Sequence, residues 1–200
     1  MFDERMRLVK DTVFNPVAEL VQVVPPWLFS VMGLIAGIGA ALAAWQQSYL
    51  LAVLLWWLNR ILDGLDGAVA RVSDSQSDFG GYLDIIIDYV VYAAVPIGLA
   101  FGQMETAVTY ALIFLLSTFY VNGASWMYLA AILEKRSHQP THRLTSVVMP
   151  AGLVGGTETI VFYSAFLIFP SVLLWLFSLM GLLVVITIVQ RLVWASRHLQ

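Results

Sequence analysis

Four aspartates stand in a stretch of sequence that otherwise has the composition of lipid-facing helices. Asp63 and Asp66 are three residues apart, and Asp84 and Asp88 are four apart. Residues at these spacings share a helix face, so each pair forms an acidic stripe on its own helix. The polar connection at residues 72–79 is short, which predicts antiparallel helices with facing stripes. Because a charged side chain at membrane depth is costly and normally serves a site, we interpret the four aspartates as one site.

The residue types at this site indicate metal and phosphate chemistry. Carboxylates gathered in a small volume repel one another and usually stay ionised only around a cation, and oxygen-only ligands favour Mg²⁺ or Mn²⁺ over softer metals. Gly67 and Ala70 lie on the first stripe and leave room beside the metals. Arg71 follows at the end nearest water, where a guanidinium can hold a phosphate oxygen. A divalent metal, an arginine and open space together suggest a diphosphate ligand.

The pattern D-x₂-D-G-x₂-A-R-x₈-G-x₃-D-x₃-D resembles the signature of the CDP-alcohol phosphotransferases, which are membrane enzymes of phospholipid synthesis. The match holds at all eight fixed positions over 26 residues, namely Asp63, Asp66, Gly67, Ala70, Arg71, Gly80, Asp84 and Asp88. The family has a six-helix core, and the same number of helices is predicted below for this chain.

The resemblance implies an enzyme that transfers the phosphatidyl group of CDP-diacylglycerol to a small polar alcohol and releases CMP. It implies that Asp63, Asp66 and Asp84 coordinate one or two ions of Mg²⁺ or Mn²⁺, with Asp88 also reaching the second ion. Asp88 is in addition the candidate base that takes a proton from the acceptor hydroxyl. Many relatives are homodimers, so a homodimer is expected on the resemblance alone.

The candidates for contacting CDP and its phosphates are Gly67, Ala70, Arg71, Gly80, Ser30 and Asn59. On the resemblance, the small residues allow close approach and the arginine holds phosphate. Members of the family often carry Pro-Asn-x-x-Thr where this chain has residues 26–30, and Ser30 is the residue that could retain a polar contact there. Asn59 lies one turn before Asp63 and could hydrogen-bond either a ligand or a neighbouring helix. Arg60 is interpreted as structural, paired with an aspartate or extended to the interface.

The sequence does not specify the acceptor alcohol. Arg136 and Arg143, with Lys135, could bind an acceptor that carries its own phosphate, or they could be orientation charges that contact lipid headgroups. Glu158 is predicted near the middle of the fifth helix, where we favour a role at the acceptor or in a cavity. The alternative for Glu158 is a protonated side chain bonded between helices.

Other functions are weighed against this one. Within the family, the donor could be a CDP-aminoalcohol and the acceptor diacylglycerol, although the small size and six-helix count favour CDP-diacylglycerol. Outside it, the alternatives are a Mg²⁺-dependent prenyltransferase, a cation transporter and a catalytically idle scaffold. Prenyltransferases lack the Gly-Ala-Arg continuation of the motif, and the chain has no obvious inverted repeat of the kind found in transporters.

The composition predicts an all-α integral membrane protein. Of 200 residues, 60% are hydrophobic and 12% are charged, well away from the averages of soluble domains. The absence of cysteine excludes disulfides and thiolate metal sites. A net charge of -3 without a basic run argues against a nucleic-acid partner.

We predict six transmembrane helices preceded by a short N-terminal amphipathic helix. Residues 1–20 form a cytoplasmic amphipathic segment, either a helix on the membrane surface or a mobile tail, and residues 21–200 form the membrane domain. The predicted spans cover residues of about 27–45, 49–71, 80–101, 106–133, 147–169 and 172–194. Asp78 is the predicted N-cap of the third span.

The basic residues predict the orientation. The ten Lys and Arg residues fall in the terminal segments, the loop near residue 140 or the motif half of the second helix. The connections on the other side of the membrane, near residues 46–48, 102–105 and 170, contain no Lys or Arg. By the positive-inside rule, both termini and the active site are expected on the cytoplasmic side of a multi-pass protein in a prokaryotic inner or plasma membrane. CTP-derived nucleotides are found on that side.

Overall fold

The computed structural model describes residues 14–136 and 152–199. Within these ranges the chain is helical apart from short connections, and no strand is present. The prediction of an all-α protein is therefore confirmed for the part of the chain that is described.

Six helices follow the helical residues 14–21. They are α1 (Pro26–Trp45), α2 (Tyr49–Val72), α3 (Asp78–Gln103), α4 (Thr106–Arg136), α5 (Gly156–Ile168) and α6 (Leu173–His198), with a 3-10 turn at Pro170–Val172 between the last two. Their ends follow from local chemistry. Helix α1 opens on Pro26, where the missing N–H has no intrahelical partner to lose. Helix α3 stops at Met104, which adopts the left-handed conformation with a φ of 55°.

By length and composition, four helical stretches among the described residues can cross a membrane, so the protein is a multi-pass membrane protein. These are Pro26–Trp45, Asp78–Gln103, Thr106–Arg136 and Pro170–His198. Helix α2 has 24 residues, but its second half carries the charged motif. Helix α5 has 13 residues, and a helix of that length covers about 20 Å against the roughly 30 Å of bilayer hydrocarbon.

The fifth helix begins later than the sequence predicts. Residues 152–155 are not helical, while residues 147–151 lie outside the described residues. The Glu158 carboxylate accepts a hydrogen bond of 2.9 Å from the backbone N–H of Gly155, which is the reciprocal half of a capping box and fixes the helix start. Glu158 therefore lies in the first turn of α5, and its predicted place near the helix middle is wrong.

The chain divides into two compact units. The first comprises Met1–Glu105 with Tyr163–Ser171. In this unit α1 packs closely on both α2 and α3. Gly98 permits the approach of α3, since a Cβ atom at that position would stand 2.2 Å from the carbonyl oxygen of Ala41. Helix α1 thus packs against both α2 and α3, the two helices that carry the aspartate motif (the motif helices).

The second unit comprises Thr106–Phe162 with Val172–Gln200, and in it α4 packs on α6. The buried Arg191 of α6 donates hydrogen bonds to Asn122 of α4, to the backbone carbonyl at 3.1 Å and to the side-chain oxygen at 2.9 Å. A polar residue within a membrane helix thereby finds its partner inside the protein.

Residues 14–21 belong to the core of the first unit. The buried Ala18 and the partly buried Phe14 join a hydrophobic cluster with Leu65 and Val69 of α2. The ring of Phe14 lies over Gly64, where a Cβ atom would come within 2.7 Å of it. The described part of the N-terminal segment is therefore packed on the back of the motif helix.

A proline in α3 leaves one backbone carbonyl without its intrahelical hydrogen bond, and a residue of α5 supplies the donor. Pro96 lies inside α3 and has no N–H to donate to the carbonyl of Tyr92, four residues earlier. The hydroxyl of the fully buried Tyr163 in α5 donates a hydrogen bond to that carbonyl. The contact ties α5 to α3 and gives this carbonyl the donor that Pro96 cannot supply.

The Gly98 contact gives a first prediction. Gly98→Ala is expected to lower the free energy of unfolding by about 1–3 kcal/mol, because the added methyl group overpacks a backbone contact. The matched control is Gly81→Ala in the same helix, since a Cβ atom there meets nothing within 4 Å. Thermal unfolding in detergent should show a lower midpoint for the first variant only. Equal midpoints would contradict the close approach of α1 and α3.

The hydrogen bond from Tyr163 to the Tyr92 carbonyl gives a second prediction, which a double-mutant cycle tests. Tyr163→Phe should cost about 1–3 kcal/mol, because it removes the donor that Tyr163 supplies to the Tyr92 carbonyl. In a Pro96→Ala background the backbone supplies the missing donor, so the same change should cost at least about 0.5 kcal/mol less. Denaturant or thermal unfolding of the four proteins measures the difference. The same cost in both backgrounds would show that the hydroxyl does not serve this carbonyl.

Candidate active site

The structure brings the two acidic stripes together. Asp63 and Asp66 lie in the second half of α2, and Asp84 and Asp88 lie in the first half of α3. The side chain of Asp84 is within hydrogen-bonding reach of Asp63 and within electrostatic range of the other two aspartates. The tightest packing of each motif helix is with α1, and between α2 and α3 themselves the contacts run through long side chains.

Three of the four carboxylates have assigned protein partners. The Ser30 hydroxyl of α1 donates a hydrogen bond of 2.7 Å to Asp66, which is 8% exposed. Arg60 of α2 donates one of 2.8 Å from Nη2 to Asp88, and its Nη1 lies 3.7 Å from Asp63. The Ser30 hydroxyl thus has a contact with a motif aspartate, and its predicted contact with a nucleotide stays a prediction.

Arg60 is the residue whose importance the sequence analysis underrated. It is 8% exposed, and its guanidinium lies 5.0 Å from the ring centre of Trp56 and 5.1 Å from that of Tyr92. Its Nε donates to Asn59 at 2.8 Å, and its Nη1 donates to the Tyr92 hydroxyl at 2.9 Å. The available signal was a basic residue one turn before Asp63 inside an apolar helix, which cannot be left without a partner.

Asn59 takes the second of its two predicted roles. Its side-chain amide donates a hydrogen bond of 2.8 Å to the carbonyl of Gly33 in α1, and its oxygen accepts from Arg60. It is 1% exposed. Asn59 therefore links the first helix to the arginine, and this packing engages both ends of the amide.

The small residues and Arg71 lie at the end of the motif nearest the connection between α2 and α3, which is residues 73–77. Arg71 is exposed, and its Nη1 is 3.2 Å from where a Cβ atom at Gly67 would stand, so the guanidinium folds back over this glycine. Ala70 is half-buried and Gly80 is exposed. The predicted role of Arg71 in holding a phosphate stays a prediction.

The start of α3 differs by one residue from the prediction. Ser77 is the N-cap, and its hydroxyl accepts a hydrogen bond of 3.1 Å from the N–H of Gly80. Asp78 is the first helical residue, not the cap. There its charge still favours the positive end of the helix dipole. A serine and an aspartate are equally common caps, so the sequence alone could not choose between them.

The residues predicted on the acceptor side lie in the second unit. Arg136 donates hydrogen bonds to the carbonyls of Leu199 at 2.7 Å and His198 at 3.4 Å, which are unpaired groups at the end of α6. Glu158 caps α5, as described above. Arg143 lies outside the described residues. Both described side chains have structural contacts, and their roles toward an acceptor stay predictions.

The aspartates fit a hard divalent cation by the chemistry of the donor set. Four carboxylates from two helices lie within range of one another, and oxygen donors suit Mg²⁺ or Mn²⁺. As they stand, no three acidic or histidine side chains in the described ranges are arranged to hold an ion. Asp66 is engaged by Ser30 and Asp88 by Arg60. Each of these hydrogen bonds uses one carboxylate oxygen, Oδ2 of Asp66 and Oδ1 of Asp88.

Comparison with known proteins extends the resemblance beyond the motif. A family model described as CDP-alcohol phosphatidyltransferase matches residues 23–194. An inner membrane protein of Escherichia coli, YnjF, is 39% identical over 124 residues, which are 62% of this chain and 59% of that protein. An archaetidylinositol phosphate synthase of Pyrococcus horikoshii is 32% identical over 81 residues, 40% and 43% of the two chains. The matched parts thus span about three-fifths or less of these two relatives.

Solved structures share the fold. The phosphatidylinositol phosphate synthase of Mycobacterium tuberculosis with CDP-DAG bound has a TM-score of 0.70 and 24% identity, covering 90% of this chain and 92% of that one. The same enzyme in complex with manganese and citrate has a TM-score of 0.69 and 23% identity, covering 90% and 87%. At this identity the likeness establishes the fold. With the family model matched over most of its length, this chain belongs to the CDP-alcohol phosphatidyltransferase family.

Proposed function

We propose that the protein transfers the phosphatidyl group of CDP-diacylglycerol to a small polar alcohol and releases CMP. The observation that carries this proposal is the approach of Asp84 to the two aspartates of α2, at the spacing of the family motif. The solved relative that binds CDP-DAG supports the donor. A serine O-phosphatidyltransferase of Helicobacter pylori, 32% identical over 91 residues that are 42% of this chain and 38% of that protein, supports a small acceptor.

Each aspartate has a role in the proposed reaction. Asp63, Asp66 and Asp84 would hold one or two ions of Mg²⁺ or Mn²⁺, with Asp88 as the further candidate ligand of the second ion. A bound cation neutralises the diphosphate and the departing CMP. Manganese in the solved relative supports this assignment.

The chain's own groups then account for binding and proton transfer. The acceptor hydroxyl oxygen forms a bond to the phosphatidyl phosphorus, the bond from that phosphorus to the CMP oxygen breaks, and Asp88 accepts the hydroxyl proton. Arg71 holds a phosphate oxygen through its fork of N–H groups. Gly67, Ala70 and Gly80 leave the space that the nucleotide needs.

The acceptor is proposed as a small polar alcohol, with a phosphorylated one kept open. Arg136 and Arg143 are the basic residues that would recognise its phosphate, and Glu158 is the acidic candidate on that side. Serine, glycerol, inositol and the phosphates of the last two form the panel that identifies it. CMP release is scored for each alcohol with CDP-diacylglycerol and Mg²⁺ or Mn²⁺.

The finer architecture is also part of the proposal. We infer six membrane spans in a single domain over residues 21–200. Four are the apolar spans described above, and α2 and the α5 region are the other two. The N-terminal amphipathic helix lies at the cytoplasmic surface, both termini and the active site face the cytoplasm, and the protein forms a homodimer. The basic residues support the orientation, and the inner membrane relative supports the compartment.

The catalytic assignment predicts the behaviour of Asp88→Asn. CMP release should fall by at least about a hundredfold, as expected for loss of a general base, while binding of CDP-diacylglycerol stays within a few-fold. Asp78→Asn is the matched control on the same helix, because Asp78 is exposed in the first turn. Its turnover should match the unaltered protein. Full turnover in the Asp88 variant would rule out the base assignment.

The orientation predicts which inserted cysteines are reachable from outside the cell. The chain has no cysteine, so single cysteines can be read without background. With an impermeant maleimide, Gln46→Cys after α1 should label in intact cells, and Ser75→Cys between α2 and α3 should label only after permeabilisation. Both positions are exposed. The reverse pattern would place the motif on the outer face.

A further inference from the structure

Arg60 lies at the centre of a polar network inside the first unit. One guanidinium touches Asp88 at 2.8 Å and Tyr92 at 2.9 Å in α3, and Asn59 at 2.8 Å in its own helix. Trp56 and Tyr92 flank it. Three of its nitrogens are hydrogen-bonded, and the contacts fix its direction as well as its position.

The residues that contact Arg60 are themselves held in place by other residues. Asn59 is tied to the Gly33 carbonyl of α1. The ring of Trp56 stacks on that of Tyr163 at 5.2 Å, and its indole N–H donates to Ser164 at 3.2 Å. Residues of four helices, α1, α2, α3 and α5, thus help to hold the Arg60 guanidinium next to the four aspartates.

The four aspartates are not equivalent in this network. Asp88 accepts a short hydrogen bond from the guanidinium, Asp63 lies farther off at 3.7 Å, and Asp66 is held by the neutral hydroxyl of Ser30. A carboxylate in a charge-assisted pair has a lone pair and its orientation committed to the partner. Of the four, Asp88 is therefore the one most opposed to becoming a full metal ligand.

We propose that Arg60 is a positioning residue that reserves Asp88 for proton transfer, by holding it on the guanidinium and by opposing its capture by a cation. The inference rests on the proposed function, because it takes Asp88 as the base of that reaction. It adds the reason why the fourth aspartate of the motif differs in role from the other three.

The proposal predicts opposite changes in two measured quantities. Arg60→Gln removes one positive charge beside the metal site and frees Asp88, so the Kd for Mn²⁺ should fall by about tenfold as a nearby charge repulsion is lost. CMP release should fall by at least about a hundredfold, because the base is no longer aimed. A merely structural role would weaken Mn²⁺ binding and turnover together.

The experiment uses the full chain in detergent. Free Mn²⁺ is measured by electron paramagnetic resonance without nucleotide, and CMP release is measured in parallel. Arg60→Lys keeps the charge but loses the fork, so its Mn²⁺ affinity should stay near that of the unaltered protein while its turnover falls. Arg197→Gln removes the same charge from an exposed position at the end of α6. It is the control and should change neither quantity more than about twofold, as expected for an exposed charge that salt screens.

Tyr92→Phe keeps the test decisive if Arg60→Gln does not fold. It removes one contact of the guanidinium without changing any charge, and we expect several-fold slower turnover at unchanged Mn²⁺ affinity. Unchanged or weaker Mn²⁺ binding by Arg60→Gln, or full turnover in Arg60→Gln, Arg60→Lys or Tyr92→Phe, would overturn the proposal. If the unaltered protein releases no CMP from any acceptor, the proposed function fails, and the Mn²⁺ comparison still decides whether Arg60 opposes the cation.

Discussion

A buried guanidinium and a group of carboxylates share a small volume between apolar helices, and the first unit is built around that fact. An isolated charge in such surroundings is costly, so each must find a partner inside the protein. Arg60 bridges α2 and α3 through Asp88 and Tyr92, and Ser30 brings α1 to Asp66. The contacts that satisfy the charges also fix the distances between the motif helices, so the site and the packing depend on one another.

Helix α1 lies close to both motif helices because small residues let the backbones approach, as Gly98 does against Ala41. In membranes this kind of close packing replaces the hydrophobic drive that holds soluble helices together. The motif helices make their closest packing with α1, and the hydrogen bond from Arg60 to Asp88 connects α2 to α3.

Much of this arrangement could be predicted from spacing alone. The aspartate pairs at three and four residues predicted two stripes that meet, and prolines and short polar segments predicted most helix ends to within a few residues. The prediction was wrong where a local cap decided the outcome. Glu158 caps α5 through Gly155, and Ser77 caps α3. In both places one hydrogen bond decides where the helix begins, and the periodicity of the sequence does not reveal such a bond.

The contacts between distant residues could not be predicted. Nothing in the sequence links Tyr163 to the carbonyl freed by Pro96, because the two helices are adjacent only in the fold. Arg60 could be recognised as needing a partner, but a choice among aspartates required coordinates. Sequence patterns thus identified which residues carry charge and which face they share, and the structure added which pairs form.

The proposed reaction depends on divalent cations held between the aspartates of α2 and α3. The most direct test is anomalous diffraction from crystals of the protein grown with Mn²⁺. We expect an anomalous peak bonded to carboxylate oxygens of Asp63, Asp66 and Asp84, with Asp88 still beside Arg60. A peak bonded to other residues, or ordered aspartates without any peak at saturating Mn²⁺, would contradict it.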